Sequence, residues 1–169
     1  MLDRPNADAA GRISAFVYGN ILCLAAVVVL TPEEMHSWHG WVYVLGTGAS
    51  TYLAHVVAAL VAHRVTEGRP VSPSEVLDET KRAWPIAAST FVPVVILVAA
   101  ALSMIAPTHA WVAAQAVIMI QLASLGLWVA RAAGERPRIG LFLPGIALAF
   151  VGALVALAKA MLTHSFSVF

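Results

Sequence analysis

Five long apolar runs, separated by short polar segments, constrain this chain more than any other feature of its sequence. They cover residues 13–30, 40–62, 84–106, 110–130 and 139–162. A helix needs about 20 apolar residues to cross a bilayer, and a backbone in lipid must form its hydrogen bonds within its own segment. The sequence therefore predicts a single all-α membrane domain over residues 1–169, a bundle of five transmembrane helices.

The composition agrees with this prediction and excludes several functions. The chain is 60% hydrophobic and 11% charged, whereas a soluble domain carries about 25% charged residues. Its net charge is +1 and it has no basic stripe with interleaved aromatics, so we expect no nucleic-acid partner. No nucleophile is paired with a base, no glycine-rich loop could cradle a phosphate, and no carboxylate lies inside an apolar run. We therefore expect neither an enzyme nor a cofactor.

The basic residues predict the orientation of the bundle. All but one of the ten Lys and Arg residues fall in the N-terminal tail, in the segment after the second run or in the segment after the fourth. The positive-inside rule places these segments in the cytoplasm, so the N-terminus is predicted to lie inside and the C-terminus outside. The first run lacks a small-x-small cleavage pattern, and we expect it to be retained. The bias toward Ala, Val, Gly and Arg favours a bacterial plasma membrane.

The segment between the second and third runs carries the signals of a helix start. Ser72 is a favourable N-cap, Pro73 suits the first helical position, and Glu75 completes a capping box. We predict a short helix over 73–83 that lies on the cytoplasmic surface. Its role is either that of a spacer or that of a docking surface for a partner.

Small residues at four-residue spacing predict where the helices approach one another. The ladders are Ala15, Gly19 and Cys23 in the first run, Gly46, Ser50, Ala54, Ala58 and Ala62 in the second, and Gly145, Ala149 and Ala153 in the fifth. We expect these three helices to pack closely, within one chain or across a homodimer.

Four polar side chains fall at similar depth in the inner half of the predicted membrane. They are Asn20, Tyr52, His55 and Ser89. Polar residues inside a membrane are expensive and often functional. They predict either an interhelical hydrogen-bond network or a small site that handles a proton or an ion.

Further polar residues lie toward the predicted outer surface. They are Glu33, His36, His39, His109 and His164 in the outer segments, with Gln121 and Lys159 inside the fourth and fifth runs. The histidines and the carboxylate could bind a transition metal, sense pH, or be ordinary interfacial residues. Gln121 is expected to bridge helices. Lys159 is expected to extend its ammonium group to the outer interface or to pair with Glu33 or Glu34.

The first two runs carry a family resemblance. Residues 15–20 (Ala-Phe-Val-Tyr-Gly-Asn) and 48–55 (Gly-Ala-Ser-Thr-Tyr-Leu-Ala-His), with the predicted topology, resemble the vacuolar iron transporter (VIT-like) family. The resemblance implies a dimer with a translocation path between subunits. Asn20 matches that family's motif residue for residue, whereas Ile21 stands where the family has an aspartate, and the second run lacks the family's Met and Glu ligands.

Two functions of different classes remain open. The first is a non-catalytic accessory or scaffolding subunit of a membrane complex, in which the polar residues serve helix association. The second is a small homodimeric transporter or channel for an ion or a metal, with a polar path near Asn20, Tyr52 and His55. The partners expected in either case are the lipid bilayer and other membrane-protein subunits or a second copy of the chain.

Overall fold

The computed structural model describes the backbone of residues 4–126 and the side chains of residues 9–126, together with helical positions 131, 143, 146, 147, 150, 151 and 154. The continuous part contains five helices and no strand. They are α1 (Arg4–Val29), α2 (Pro32–His36), α3 (Trp38–Glu67), α4 (Pro73–Ala101) and α5 (Pro107–Ala123). The all-α prediction is confirmed for these residues.

Three of the described helices are long and apolar enough to cross a membrane. They are the part of α1 from Ala9 to Val29 and the whole of α3 and α4, which correspond to the first three predicted spans. α5 occupies most of the fourth predicted span, 110–130. The predicted fifth span, 139–162, lies outside the described residues apart from the isolated positions given above, and so do Lys159 and His164.

The prediction of a separate surface helix over 73–83 is wrong. These residues form the first part of α4, which continues to Ala101. The N-terminal signals themselves are confirmed, because Ser72 and Glu75 form a reciprocal capping box. The change from charged to apolar residues near Ala83 carries no capping signal, and Pro85 removes only one backbone donor, so nothing ends the helix there.

A short turn reverses the chain between α3 and α4. Gly68, with φ of 65°, caps the end of α3 in the left-handed conformation, and its amide donates to the Arg64 carbonyl. Glycine adopts this conformation without a steric penalty. α4 begins five residues later at Pro73, so α3 and α4 form an antiparallel hairpin. We call the end of the bundle that holds this turn and Arg12 the inner end, and the end that holds α2 the outer end.

α4 contacts α1, α3, α5 and the short α2. Two apolar clusters form the core around it. The outer cluster includes Cys23, Leu24, Val27, Met35, Leu97 and Ile118, and the inner cluster consists of Ala15, Val56, Ala83 and Ile86. Since α4 contacts every other described helix, its position constrains the placement of all of them.

Two glycines allow the helices to approach closely. A Cβ atom built on Gly19 would lie 2.8 Å from the Ile86 Cα atom and 2.6 Å from the Ser89 Oγ atom. A Cβ atom on Gly48 would lie 2.6 Å from the Thr90 methyl group. The α1–α4 contact is therefore backbone against backbone, whereas the α3–α4 contact is backbone against a side chain.

The predictions made from the small-residue ladders of α1 and α3 have different outcomes. All three ladder residues of α1, Ala15, Gly19 and Cys23, are buried as predicted. The predicted ladder of α3, from Gly46 to Ala62, is exposed, because α3 packs on the rest of the described chain through the face that carries Gly40, Val44, Gly48 and Val56. Within the described residues, the ladder of α3 therefore takes no part in packing.

Candidate functional site

Two of the four predicted inner polar residues lie in the α1–α4 interface. Asn20 and Ser89 are completely buried. The Asn20 side-chain amide donates to the Phe16 carbonyl at 2.9 Å, and the Ser89 hydroxyl donates to the Ile86 carbonyl at 2.7 Å. Both side chains thus bond to the backbone of their own helix. The Asn20 Oδ1 atom is buried and has no hydrogen-bond partner.

The other two predicted residues lie on α3. The Tyr52 hydroxyl donates to the Thr80 carbonyl at 3.2 Å, and His55 is half-buried. Thr80 lies nine residues before Ser89 on α4, which corresponds to about 13 Å along a helix. The hydrogen bond of Tyr52 therefore joins α3 to α4 nearer the inner end, away from the level of Ser89. The described hydrogen bonds do not link the four residues into one network.

The predicted outer residues lie on three different helices. Glu33 and His36 are exposed on α2, His39 is exposed near the start of α3, and His109 is exposed near the start of α5. Ser37, with φ of −100° and ψ of 167°, separates α2 from α3, so His39 does not continue the helical turn of α2. The Ser37 hydroxyl lies 3.2 Å from the His39 Nδ1 atom.

Gln121 lies on α5 and is half-buried. Its Oε1 atom is buried without a hydrogen-bond partner. The indole N–H groups of Trp41 and Trp111, at the outer end, are also buried and have no hydrogen-bond partner. A buried polar atom left unpaired costs about 1–3 kcal/mol, so each of these atoms is a place where water or another molecule would lower the energy.

An ionic cluster, absent from the predicted sites, joins α3 to α4 at the inner end. The His63 Nε2 atom lies 3.5 Å from Glu67 Oε2 and 3.1 Å from Glu75 Oε1. The Arg69 guanidinium contacts both carboxylates, Glu67 at 2.6 Å and Glu75 through two nitrogens. The sequence signals were the i,i+4 pair of His63 and Glu67 and the capping role of Glu75, but their convergence depends on the turn at Gly68.

The cluster perturbs the acid–base chemistry of Glu75, which precedes the apolar part of α4. The Arg69 guanidinium, together with the amide and hydroxyl donors of Ser72, holds the pKa of the Glu75 carboxyl well below its usual range. One donor atom each from His63, Glu67 and Glu75 lies within 4.8 Å of the others, a spacing that could hold a metal ion. Because the Arg69 guanidinium already contacts both carboxylates, we interpret the cluster as a tie between helices.

A groove opens between α1 and α4 at the inner end. Its volume is about 470 Å³. Arg12 and Phe16 of α1, Trp84 and Ala88 of α4, and Leu125 beyond α5 are among the residues that line it. Most of this surface is apolar, and Arg12 is the charged residue in the lining. The sequence predicts that Arg12 belongs to the cytoplasmic N-terminal tail, but it gives no sign of a groove beside it.

Comparison of the chain with protein-family models, with curated proteins and with solved structures finds no match. The resemblance to the vacuolar iron transporter family therefore stays a prediction.

Proposed function

We propose that the protein is a membrane-embedded, non-catalytic accessory or scaffolding subunit of a larger membrane complex in a bacterial plasma membrane. The observation that supports this most is the exposure of α3. Only 11% of its most apolar stretch is buried, against 39% in both α1 and α4. α3 is thus a long apolar helix that packs on its own chain through one face and has an opposite face that no other described helix covers.

The available face of α3 has the character of a helix-packing surface. It carries the ladder Gly46, Ser50, Ala54, Ala58 and Ala62, all exposed. Small residues at this spacing let another backbone approach closely, which is the main source of helix association in lipid. The Ser50 hydroxyl donates to the Thr47 carbonyl at 3.1 Å, so it needs no partner for its proton. The proposed occupant is a transmembrane helix of a different subunit.

The packing around Asn20 and Ser89 favours this role over transport. Asn20 and Ser89 lie in a contact where Gly19 meets the backbone of Ile86, which leaves no space for a passing ion at that point of the α1–α4 interface. Their hydrogen bonds remain within their own helices. A transporter is the second candidate, and the observation in its favour is the unpartnered Asn20 Oδ1 atom.

The test is purification from the native membrane in a gentle detergent at endogenous level, followed by native mass spectrometry. We expect a stoichiometric complex with at least one other membrane protein. Two substitutions on the ladder, Gly46→Leu and Ala54→Leu, should release the partner without unfolding the chain, because a Cβ atom on Gly46 meets no atom within 4 Å.

The matched control is Ala116→Leu, on the exposed side of α5, which should leave the complex intact. A homodimer with no other subunit would refute the accessory role and would justify ion-flux measurements on liposomes with Asn20→Leu and His55→Ala. A complex that survives both ladder substitutions would refute the assignment of α3 as the contact.

A further inference from the structure

The groove at the inner end has two features of a ligand-binding site, a suitable size and a cationic side chain. It is a concave space of about 470 Å³ with a mostly apolar lining, which lies within the usual size range of small-ligand sites, about 300–1,000 Å³. It also holds one cationic side chain, Arg12, which makes no hydrogen bond or ion pair with any residue in the described part of the chain.

The groove has a polar mouth and an apolar depth. Arg12 and Trp84 are exposed at its opening. Ile13 and Phe16 follow on the same face of α1, so the apolar wall extends about 6 Å past Arg12 toward the middle of the bundle. Leu125, which is 7% exposed, also lines the groove. A ligand that fits must therefore be negatively charged at one end and apolar at the other.

We propose that this groove binds one anionic phospholipid of the cytoplasmic leaflet. The phosphate group would accept hydrogen bonds from the Arg12 guanidinium, whose planar donors suit phosphate oxygens. The first part of an acyl chain would lie against Phe16 and Ala88. In the predicted orientation, the Trp84 ring would lie at the level that tryptophan favours near lipid headgroups.

This proposal rests on the membrane placement proposed above and is independent of the accessory role. The lipid bilayer supplies the ligand at high local concentration, and the predicted orientation puts Arg12 on the side where anionic lipids are enriched. A phosphate in solution shares the headgroup chemistry, but it would not contact the apolar lining of the groove beyond Arg12. The apolar wall is the reason for assigning a lipid.

The test is native mass spectrometry of the purified full chain titrated with phosphatidylglycerol or phosphatidylcholine of identical acyl chains. We expect the first phosphatidylglycerol to bind about tenfold more tightly than phosphatidylcholine, because the choline group of the latter places a second positive charge near Arg12 and offsets the phosphate charge. Arg12→Gln should abolish this preference, and Arg64→Gln, which removes an exposed arginine of α3 outside the groove, should preserve it.

A second pair of variants tests the apolar wall. Ala88→Leu should weaken the binding of both lipids by filling the groove, whereas Ala116→Leu should not. Equal affinity for the two lipids, or an unchanged preference in Arg12→Gln, would overturn the proposal. Displacement of the lipid by water-soluble glycerol phosphate would overturn it in favour of a headgroup site. Carbonate extraction of the membranes separates these outcomes from a failure of the membrane placement, since a protein released by carbonate is not embedded.

Discussion

The closest approach between α1 and α4 offers the sharpest test of the described packing. Gly19→Ala adds a Cβ atom 2.8 Å from the Ile86 Cα atom and 3.1 Å from the Ile86 carbonyl oxygen. Carbon atoms in contact normally lie about 3.5–4.0 Å apart, so α1 must move away from α4 by about 0.7 Å. The Ser89 Oγ atom, at 2.6 Å, can rotate away, but the two Ile86 atoms belong to the backbone, so no side-chain rotation relieves their overlap.

The magnitude follows from two opposing terms. Overpacking of this kind costs about 1–3 kcal/mol, and replacing a helix-interior glycine by alanine returns about 1 kcal/mol. We expect Gly19→Ala to lower the free energy of unfolding by about 0–2 kcal/mol relative to the wild type and by about 1–3 kcal/mol relative to Gly46→Ala. Gly46→Ala is the matched control, because its new Cβ atom meets no other atom within 4 Å and leaves only the favourable term. The difference in the free energy of unfolding between the two variants gives the cost of the steric overlap.

The measurement is reversible unfolding by sodium dodecyl sulfate in mixed micelles, followed by tryptophan fluorescence. Gly48→Ala should fall between the other two, since its new Cβ atom meets the Thr90 side chain rather than backbone. If Gly19→Ala and Gly46→Ala are equally stable within about 0.5 kcal/mol, the close α1–α4 contact is not present in the folded protein.

Three further results are expected. Ser72→Ala removes the N-cap of α4 and should destabilise the chain by about 1 kcal/mol in the same assay. The folded-state pKa of Glu75 is depressed by Arg69, so its stabilising effect is present above the unfolded pKa near 4.3 and is lost as pH falls below it. The melting temperature should therefore not depend on this group between about pH 8 and 5 and should fall below about pH 4. Glu75→Gln should reduce that acid-induced fall. Tyr52→Phe removes the hydrogen bond to the Thr80 carbonyl and should cost about 0.5–1.5 kcal/mol; no loss of stability would mean that this bond does not hold α3 to α4.

The apolar runs predicted the long helices because length and hydropathy are properties of the sequence alone. The start of α4 was also predictable, since a capping box involves only neighbouring residues. The continuity of α4 through Ala83 was not, because a change in polarity marks a boundary between solvents and does not by itself end a helix. Only a cap, a glycine or an incompatible backbone does that.

The proposed contact face of α3 and the ionic cluster depend on tertiary contacts that the spacing of residues in the sequence does not determine. α3 carries small residues on two faces, and the sequence could not tell that Gly48 faces α4 while Gly46 is exposed. In the same way, His63 and Glu75 are 12 positions apart and meet only because Gly68 reverses the chain. Their hydrogen bond at 3.1 Å is a consequence of the turn.

The turn at Gly68 also has a consequence for biosynthesis. α3, the turn and α4 are continuous in the chain, and the contacts that flank the turn, from Arg69 to Glu67 and from Ser72 to Glu75, span at most three residues. These contacts can form as soon as the first turn of α4 has left the ribosome, before α5 has been translated. The turn can therefore be in place before the rest of α4 is synthesised, so that α4 folds back along α3 as it emerges.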